Sequence, residues 1–186
     1  MTHDIWTIGH STRDLDMFVS MLESFQIQVL VDVRRFPHSR RQPHFNTDEL
    51  KRSLFKQGIR YDWMGMELGG FRKPRPDSPH RGLKESSFQG YADHMDTPTF
   101  QKSLASLIVL AKEKRVAYMC SEGHFKACHR RLISDALELL HRFRVHHIVD
   151  AAKEVPHEAF HAARVAEGGL VYAPQALNEF GGPSTA

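Results

Sequence analysis

The chain has 186 residues, of which 41% are hydrophobic and 25% charged, and its formal net charge at pH 7 is +3. This length predicts one domain with a hydrophobic core, and so small a net charge does not by itself indicate a nucleic-acid-binding protein. Two cysteines exclude a disulfide framework, and neither a signal-peptide pattern nor a bilayer-length apolar segment occurs, so we expect a cytoplasmic protein without a membrane partner.

Short apolar strands alternate with helical patterns in the first part of the chain. Residues 5–8 and 29–31 predict two buried strands, and the apolar spacing over residues 15–25 predicts a helix between them. Ser11 or Thr12 is the expected N-cap of that helix, because a side-chain oxygen can accept hydrogen bonds from its free N–H groups.

The middle of the chain continues this alternation and then contains a long loop. A helix is expected to begin near Asn46 and to end at Gly58, and residues 59–64 predict a third strand. Residues 68–83 are rich in proline, glycine and arginine; a loop of this length inside a compact domain is often functional.

The last part of the chain predicts further helices and strands in alternation. Thr97 followed by proline predicts the start of a helix, which leads to a strand at residues 116–120. A helix over about residues 127–142 and a strand at 145–149 follow, and residues 170–172 predict a short final strand.

Strands separated by helices predict an α/β fold with a mostly parallel sheet flanked by helices on both faces. A Rossmann-like three-layer sandwich is the expected architecture, and an incomplete or distorted β/α barrel is the alternative. We expect a single domain over residues 1–180, with residues 181–186 as a frayed tail.

Polar side chains follow three of the predicted strands at their carboxyl ends. In both architectures the functional edge lies at these ends, so we expect the side chains to meet there. The residues at the three strand ends are His10 and Ser11, Asp32 and Arg34, and Cys120 and Glu122.

The two cysteines are candidates for thiol chemistry. Cys120 could be a small core residue or a reactive thiol. Cys128 lies near a predicted helix N-terminus beside His129 and two arginines, and both the helix dipole and cationic neighbours lower a thiol pKa. Cys128 is therefore the better candidate for an activated thiol, and a redox pair of Cys120 with Cys128 stays open.

Two other cysteine chemistries are less well supported by the spacing. Cys120, His124, Cys128 and His129 could ligate zinc, but the spacing matches no standard zinc motif and adjacent ligands are unfavourable, so no metal site is predicted. A phosphatase-type loop requires an arginine six positions after the cysteine, where this chain has Lys126.

Anion binding is the better-supported expectation. His129 and Arg130 fall in the first turn of a predicted helix, whose N–H groups and dipole attract negative charge. Arg34 and Arg40 lie after a strand and on a basic loop, and arginine forks suit phosphate geometry. The same strand ends offer three catalytic candidates. Asp32 and Glu122 are expected to act as acid–base groups or as partners that orient Arg34 and Arg130, and His10 as a base or ligand contact. Ser11 is a further candidate for binding the anion.

The chain also resembles a known family. Six ordered motifs carry the resemblance: TIGHST from Thr7, VDVR from Val31 with the loop that follows, ELGG from Glu67, GYA from Gly90, Cys120-x-Glu122 and Cys128-His129-Arg130. They resemble the domain-of-unknown-function 488 (DUF488) family, over about residues 7–149. The resemblance implies a bacterial or archaeal cytoplasmic protein with an α/β fold, and it implies no reaction.

Three functions remain open on the sequence. The leading hypothesis is an enzyme that binds an anionic, phosphate-bearing small molecule or nucleotide at the strand ends. The second is a protein that binds or processes nucleic acid through its basic loops. The third is a thiol-based redox or regulatory domain. The sequence assigns no cofactor and no oligomeric state.

Overall fold

The computed structural model describes residues 2–174. Residues 175–180 of the predicted domain and the predicted tail at 181–186 lie outside the described residues. None of the described helices combines the length and the apolar character needed to cross a membrane.

The core of the structure is a six-stranded sheet in the order β3-β2-β4-β1-β5-β6. The first five of these strands run parallel, and the edge strand β6 pairs antiparallel with β5. The strands are β1 (Asp4–Gly9), β2 (Val29–Asp32), β3 (Arg60–Trp63), β4 (Val116–Cys120), β5 (Arg144–Asp150) and β6 (Lys153–Pro156).

Helices cover both faces of this sheet, which confirms the predicted three-layer α/β sandwich. The helices are α1 (Leu15–Ser24), α2 (Thr47–Lys56), α3 (Gly65–Leu68), α4 (Ser86–Met95), α5 (Pro98–Glu113) and α6 (Arg130–Leu139). One apolar core lies under α1 and α2, and a second under α4, α5 and α6. Over residues 2–174 the sheet stays open, so the barrel alternative was wrong.

A separate hairpin follows the main sheet. It consists of β7 (Ala163–Ala166) and β8 (Gly169–Tyr172), which pair antiparallel with each other. The final strand predicted at 170–172 is therefore present, but β6 and β7 were missed. Both missed strands are mostly exposed, so neither carries the continuous apolar run by which a buried strand is recognised.

Some of the predicted helix ends differ from the observed ones. The N-cap of α1 is Asp14, whose carboxylate accepts from the Met17 N–H at 2.7 Å, in place of Ser11 or Thr12. Thr97 caps α5 as predicted. A short 3₁₀ turn, Phe125–Ala127, ends where the last helix was predicted to begin, and α6 begins only at Arg130.

Candidate functional site

A cleft of about 430 Å³ lies at the carboxyl ends of β1, β2 and β4. Among the predicted site residues, its lining contains His10, Arg34, Cys120, Glu122, Cys128 and His129. A larger groove of about 700 Å³ beside α2 and β3 is lined by neither cysteine nor histidine. The smaller cleft is therefore the candidate functional site.

The deepest reactive groups of the cleft are Cys120, Cys128 and His129, which we call the thiol–imidazole cluster. The imidazole Nδ1 of His129 lies 3.8 Å from the Cys120 Sγ and 3.7 Å from the Cys128 Sγ. All three atoms lie within 4.8 Å of one another. Both sulfurs are almost fully buried, so a ligand reaches them only from the cleft.

The local backbone explains how adjacent residues of the cluster face the same point. Cys120 is the last residue of β4, whereas Cys128 is extended, with φ −129° and ψ 146°. His129 then adopts helical angles, φ −57° and ψ −18°, as the N-cap of α6. The chain turns between these two residues, and their side chains converge.

The helix N-terminus stabilises the Cys128 sulfur. The backbone N–H of Arg130 donates to the Cys128 Sγ at 3.5 Å, as free N–H groups at a helix start do to an anion. The helix N-terminus that the sequence assigned to an external anion is thus already occupied by a sulfur of the protein itself.

The two thiols differ in acidity. Burial raises the pKa of the Cys128 thiol, but hydrogen bonding with Cys120 and the positive charge of Arg130 outweigh it and lower that pKa to about 6. The hydrogen bond with Cys128, together with burial, raises the pKa of Cys120 to about 12. The Arg130 N–H and the nearby positive charge therefore favour the thiolate form at Cys128 rather than at Cys120.

His129 has an incomplete set of hydrogen bonds within the described chain. Its Nε2 is buried and finds no partner among residues 2–174, while its ring packs against Tyr91 with the centroids 5.0 Å apart. A side chain at Gly70 would place its Cβ only 3.1 Å from the Nδ1 of His129. Glycine at this position therefore keeps the Nδ1 side of the imidazole open.

Asp32 and Arg34 form a buried ion pair beside the cluster. The Nη2 of Arg34 donates to the Asp32 Oδ2 at 2.6 Å and to the Phe45 carbonyl at 2.8 Å. The hydroxyl of Tyr61 also donates to Asp32, at 2.8 Å. Asp32 lies outside the cleft lining and holds the Arg34 guanidinium, which is one of the two roles that the sequence left open for it. Its role as an acid–base group stays a prediction.

His10 lies against this pair as a neutral imidazole. Its Nδ1 lies 2.8 Å from the Ser11 carbonyl and its Nε2 accepts from Arg34 at 3.3 Å, which assigns the proton to Nδ1. Burial and the charge of Arg34 lower the pKa of His10 to about 4, against the opposing effect of the Ser11 carbonyl. The His10 ring also stacks on Phe45, with centroids 4.2 Å apart.

Arg130 is placed inside the protein rather than on the cleft surface. Its guanidinium donates to the Thr7 Oγ1 and to the Glu122 carbonyl, each at 2.6 Å, and the residue is 1% exposed. Arg130 was expected to contact a ligand, but it is not among the residues that line the cleft. Arg130 instead joins β1 to the loop that follows β4.

Ser11 and Arg40 also lie outside the cleft lining, and Glu122 lies on its exposed rim. Ser11 has a left-handed backbone, with φ 51°, and its N–H donates to the Ser121 carbonyl at 2.9 Å. Arg40 is exposed on the loop after β2. Of the residues predicted to bind anions, Arg34 and His129 are therefore the ones that reach the cleft.

Sequence reasoning missed Arg35 and Phe36 as residues of the cleft, whereas the ring of Phe71 was already a candidate for stacking on a base or sugar. Arg35 lines it and donates from Nη1 to the Phe71 carbonyl at 3.2 Å. Phe36 and Phe71 are 66% and 81% exposed at its mouth, with centroids 6.0 Å apart. Tyr91 also lines the cleft, and the sequence pointed to it only as part of the GYA motif. Its place in the ordered GYA motif was the available signal for a role at the site.

The thiol–imidazole cluster also has the donor types of a metal site, which the sequence did not predict. In residues 2–174 it is the one group of three or more potential ligands whose donor atoms converge in this way. His124 does not take part: it is exposed, and its Nδ1 accepts from the Lys126 N–H.

Comparison with known protein families decides the classification. The model of the family described as "Domain of unknown function DUF488" matches residues 14–137, more than half of the chain. The chain belongs to the DUF488 family. The DUF488 match extends from the N-cap of α1 into α6, so it includes both cysteines and His129, whereas His10 lies before it. No curated protein and no solved structure matches the chain.

Proposed function

We propose that this DUF488 protein is an enzyme that binds a small, phosphate-bearing anion in the strand-end cleft and acts on it at the thiol–imidazole cluster. One observation carries the proposal. Both cysteines and His129 converge at the bottom of a cleft whose lining also holds Arg34 and Arg35. The thiols, the imidazole and the guanidinium groups thus face the same cleft, as an enzyme that acts on a phosphate-bearing anion requires.

One guanidinium of the lining, that of Arg35, favours an anionic ligand. Glu122 is the single carboxylate among the described residues that line the cleft, and it lies on the exposed rim. Arg34 is neutralised by Asp32, so Arg35 is the cation with donors left for a ligand after its one bond to the Phe71 carbonyl. A guanidinium fork of this kind suits a phosphate group.

The aromatic residues of the cleft add an apolar part to the ligand's binding surface. Phe36 and Phe71 flank the mouth, and Arg35 lies over the Phe36 ring at 5.7 Å from its centroid. Phe88 and Tyr91 line the interior. A phosphate attached to a flat or apolar group, as in a nucleotide, would contact both the arginine and the rings.

The test measures binding of inorganic phosphate, nucleoside monophosphates and sugar phosphates by calorimetry and by the shift in melting temperature. We expect Arg35→Gln to weaken the affinity for the tightest-binding of these ligands at least about tenfold, since a charge-assisted hydrogen bond contributes roughly 1.5–3 kcal/mol. Arg52→Gln is the matched control, because Arg52 is 61% exposed and paired with Glu49 away from the cleft. Equal affinities of the two variants would contradict the proposal.

A second candidate function rests on the exposed aromatic pair at the cleft mouth. Phe36 and Phe71 lie beside Arg35, and Arg40 and Arg41 are exposed on the same loop as Phe36. Aromatic faces next to cations are the elements with which proteins bind single-stranded nucleic acid. Binding of a short single-stranded oligonucleotide that weakens steeply with salt, without binding of any mononucleotide, would favour this function over the first.

A further inference from the structure

We infer that Cys120, Cys128 and His129 form a binding site for a zinc-like, thiophilic divalent cation, with a fourth coordination position open to the cleft. The inference rests on the proposed function only for the ligand at that fourth position. The metal site itself follows from the geometry and chemistry of the cluster.

The separations between the donor atoms fit one ion. With zinc at about 2.3 Å from sulfur and about 2.0–2.1 Å from nitrogen, a tetrahedral or trigonal arrangement separates sulfur from nitrogen by roughly 3.5–3.8 Å. The observed distances from the His129 Nδ1 to the two sulfurs are 3.8 and 3.7 Å. These two separations suit one ion, and the two sulfurs also lie within 4.8 Å of each other.

The donor types select the kind of cation. Thiolates are soft ligands and imidazole is a borderline one, and this set prefers zinc and similar ions over magnesium or calcium. On binding, each coordinated sulfur that still carries a proton releases it to the solvent. The N–H of Arg130, which donates to the Cys128 sulfur at 3.5 Å, would remain as a supporting contact behind the ligand.

The surroundings leave space for the ion and for one more ligand. Gly70 faces the His129 Nδ1, and any larger residue there would place its Cβ 3.1 Å from this nitrogen. The three ligands all line the cleft, and no fourth protein donor joins them among residues 2–174. Three protein ligands with one open position are typical of catalytic rather than structural zinc sites.

The open position connects the metal site to the proposed ligand. An anion held by Arg35 in the same cleft could place an oxygen on the cation, which would act as a Lewis acid toward it. The cation would also offset the negative charge that an anion meets at a buried thiolate. The metal thus supplies the reactive centre, and Arg35 supplies the orientation of the ligand.

The experiment titrates the metal-free, reduced protein with cobalt(II) as a spectroscopic substitute for zinc. We expect one equivalent to bind, with the absorption typical of thiolate-to-cobalt charge transfer. Cys120→Ala and Cys128→Ala should each weaken binding more than about 100-fold. His124→Gln is the matched control, because His124 lies between the two cysteines in sequence but outside the cluster; its titration should equal that of the wild type.

A second measurement uses the unaltered protein, so it does not depend on how the cysteine variants fold. One equivalent of zinc should slow the alkylation of Cys120 and Cys128 by iodoacetamide at least tenfold, as mapped by mass spectrometry. Absence of both the charge-transfer absorption and this protection would overturn the metal site. Binding that survives in the Cys120→Ala/Cys128→Ala double variant would overturn it as well.

The open fourth position has its own readout. Inorganic phosphate added to the cobalt-loaded protein should change the visible ligand-field bands, and an unchanged spectrum at saturating phosphate would overturn the open position. Arg35→Gln should leave the cobalt affinity intact while weakening the phosphate effect. Loss of the metal site and loss of the anion site therefore give different results, and the failure of either inference can be recognised separately.

Discussion

At the scale of single residues, the Asp32–Arg34 pair is the main electrostatic support of the cleft. The two side chains are 0% and 6% exposed, and the Tyr61 hydroxyl and the Phe45 carbonyl complete their hydrogen bonds. Because both charges are buried, removing one would leave the other without compensation. Asp32 therefore holds Arg34 in the cleft lining, and Arg34 in turn contacts His10.

We predict that Arg34→Met lowers the free energy of unfolding by about 3–5 kcal/mol, because it leaves the Asp32 carboxylate buried and unpaired. Urea denaturation of the variant measures this loss. Arg52→Met is the control: the Arg52–Glu49 pair is exposed, and its removal should cost less than about 1 kcal/mol. Equal effects of the two substitutions would show that the buried pair has no special role.

His10 makes stability depend on pH. The pKa of His10 is lowered to about 4 in the folded protein, from an ordinary value of 6.5. The unfolded chain therefore binds this proton as the pH falls through 6.5, whereas the folded protein binds it only near pH 4, so stability decreases as the pH falls between these values.

We expect this residue to account for a loss of about 3 kcal/mol between pH 7 and pH 4, since one pKa unit corresponds to about 1.4 kcal/mol. The measurement compares urea unfolding of the wild type and of His10→Gln at a series of pH values. The difference between the two proteins should change with pH over this interval. A constant difference would mean that His10 is protonated equally in both states.

At the scale of secondary-structure elements, the end of β1 contacts the loop after β4 unusually closely. A Cβ on Gly9 would lie 1.9 Å from the Glu122 carbonyl oxygen and 2.8 Å from the Arg130 Nη2. These contacts are made by backbone and by a buried guanidinium, neither of which can move freely. The loop that carries Glu122 and leads to Cys128 is therefore positioned by the absence of a side chain at Gly9.

We predict that Gly9→Ala destabilises the protein by about 1–3 kcal/mol or more, because the loop must move away from β1. Gly58→Ala is the control: no atom lies within 4 Å of the added Cβ there, and the cost of about 1 kcal/mol comes from its left-handed backbone, φ 72°. Thermal unfolding should rank the two variants in this order. A smaller effect at Gly9 than at Gly58 would contradict the close packing.

At the scale of the whole molecule, buried polar contacts connect the C-terminal hairpin to α6. The Tyr172 hydroxyl donates to the Asp135 Oδ2 at 2.8 Å, and the His157 Nε2 lies 2.8 Å from the other oxygen of this carboxylate. The hairpin is thus tied to the helix whose N-terminus bears Cys128 and His129. This arrangement agrees with the expectation of a single domain, which remains a prediction.

We predict that Tyr172→Phe lowers the free energy of unfolding by about 1–3 kcal/mol, because buried Asp135 loses a hydrogen-bond donor. Unfolding should still occur in one transition when followed by tryptophan fluorescence and by hydrogen exchange in the hairpin. Val165→Ala, at a residue 63% exposed on β7, should have little effect. Separate transitions for the hairpin and the sheet would contradict a single cooperative unit.

The sequence was informative about the elements with strong apolar patterns and weak about exposed or irregular ones. The buried strands β1, β2 and β4 and the Thr97 cap of α5 were predictable because burial and capping leave direct marks on residue type. The exposed strand β6 carries no such mark. The start of α6 was misplaced because nothing in the local sequence signals the 3₁₀ turn before it.

The sequence by itself determined the α/β class and the family, and it pointed to the edge of the sheet at which the candidate site lies, because alternating strands and helices place all carboxyl ends of parallel strands together. Only the tertiary structure decided which polar residues face the cleft. Arg130 turns inward to Thr7, whereas Cys128 and His129 turn toward Cys120. Side-chain direction at a helix start depends on one or two backbone angles, and these are set by packing between distant segments such as Gly9 and Glu122.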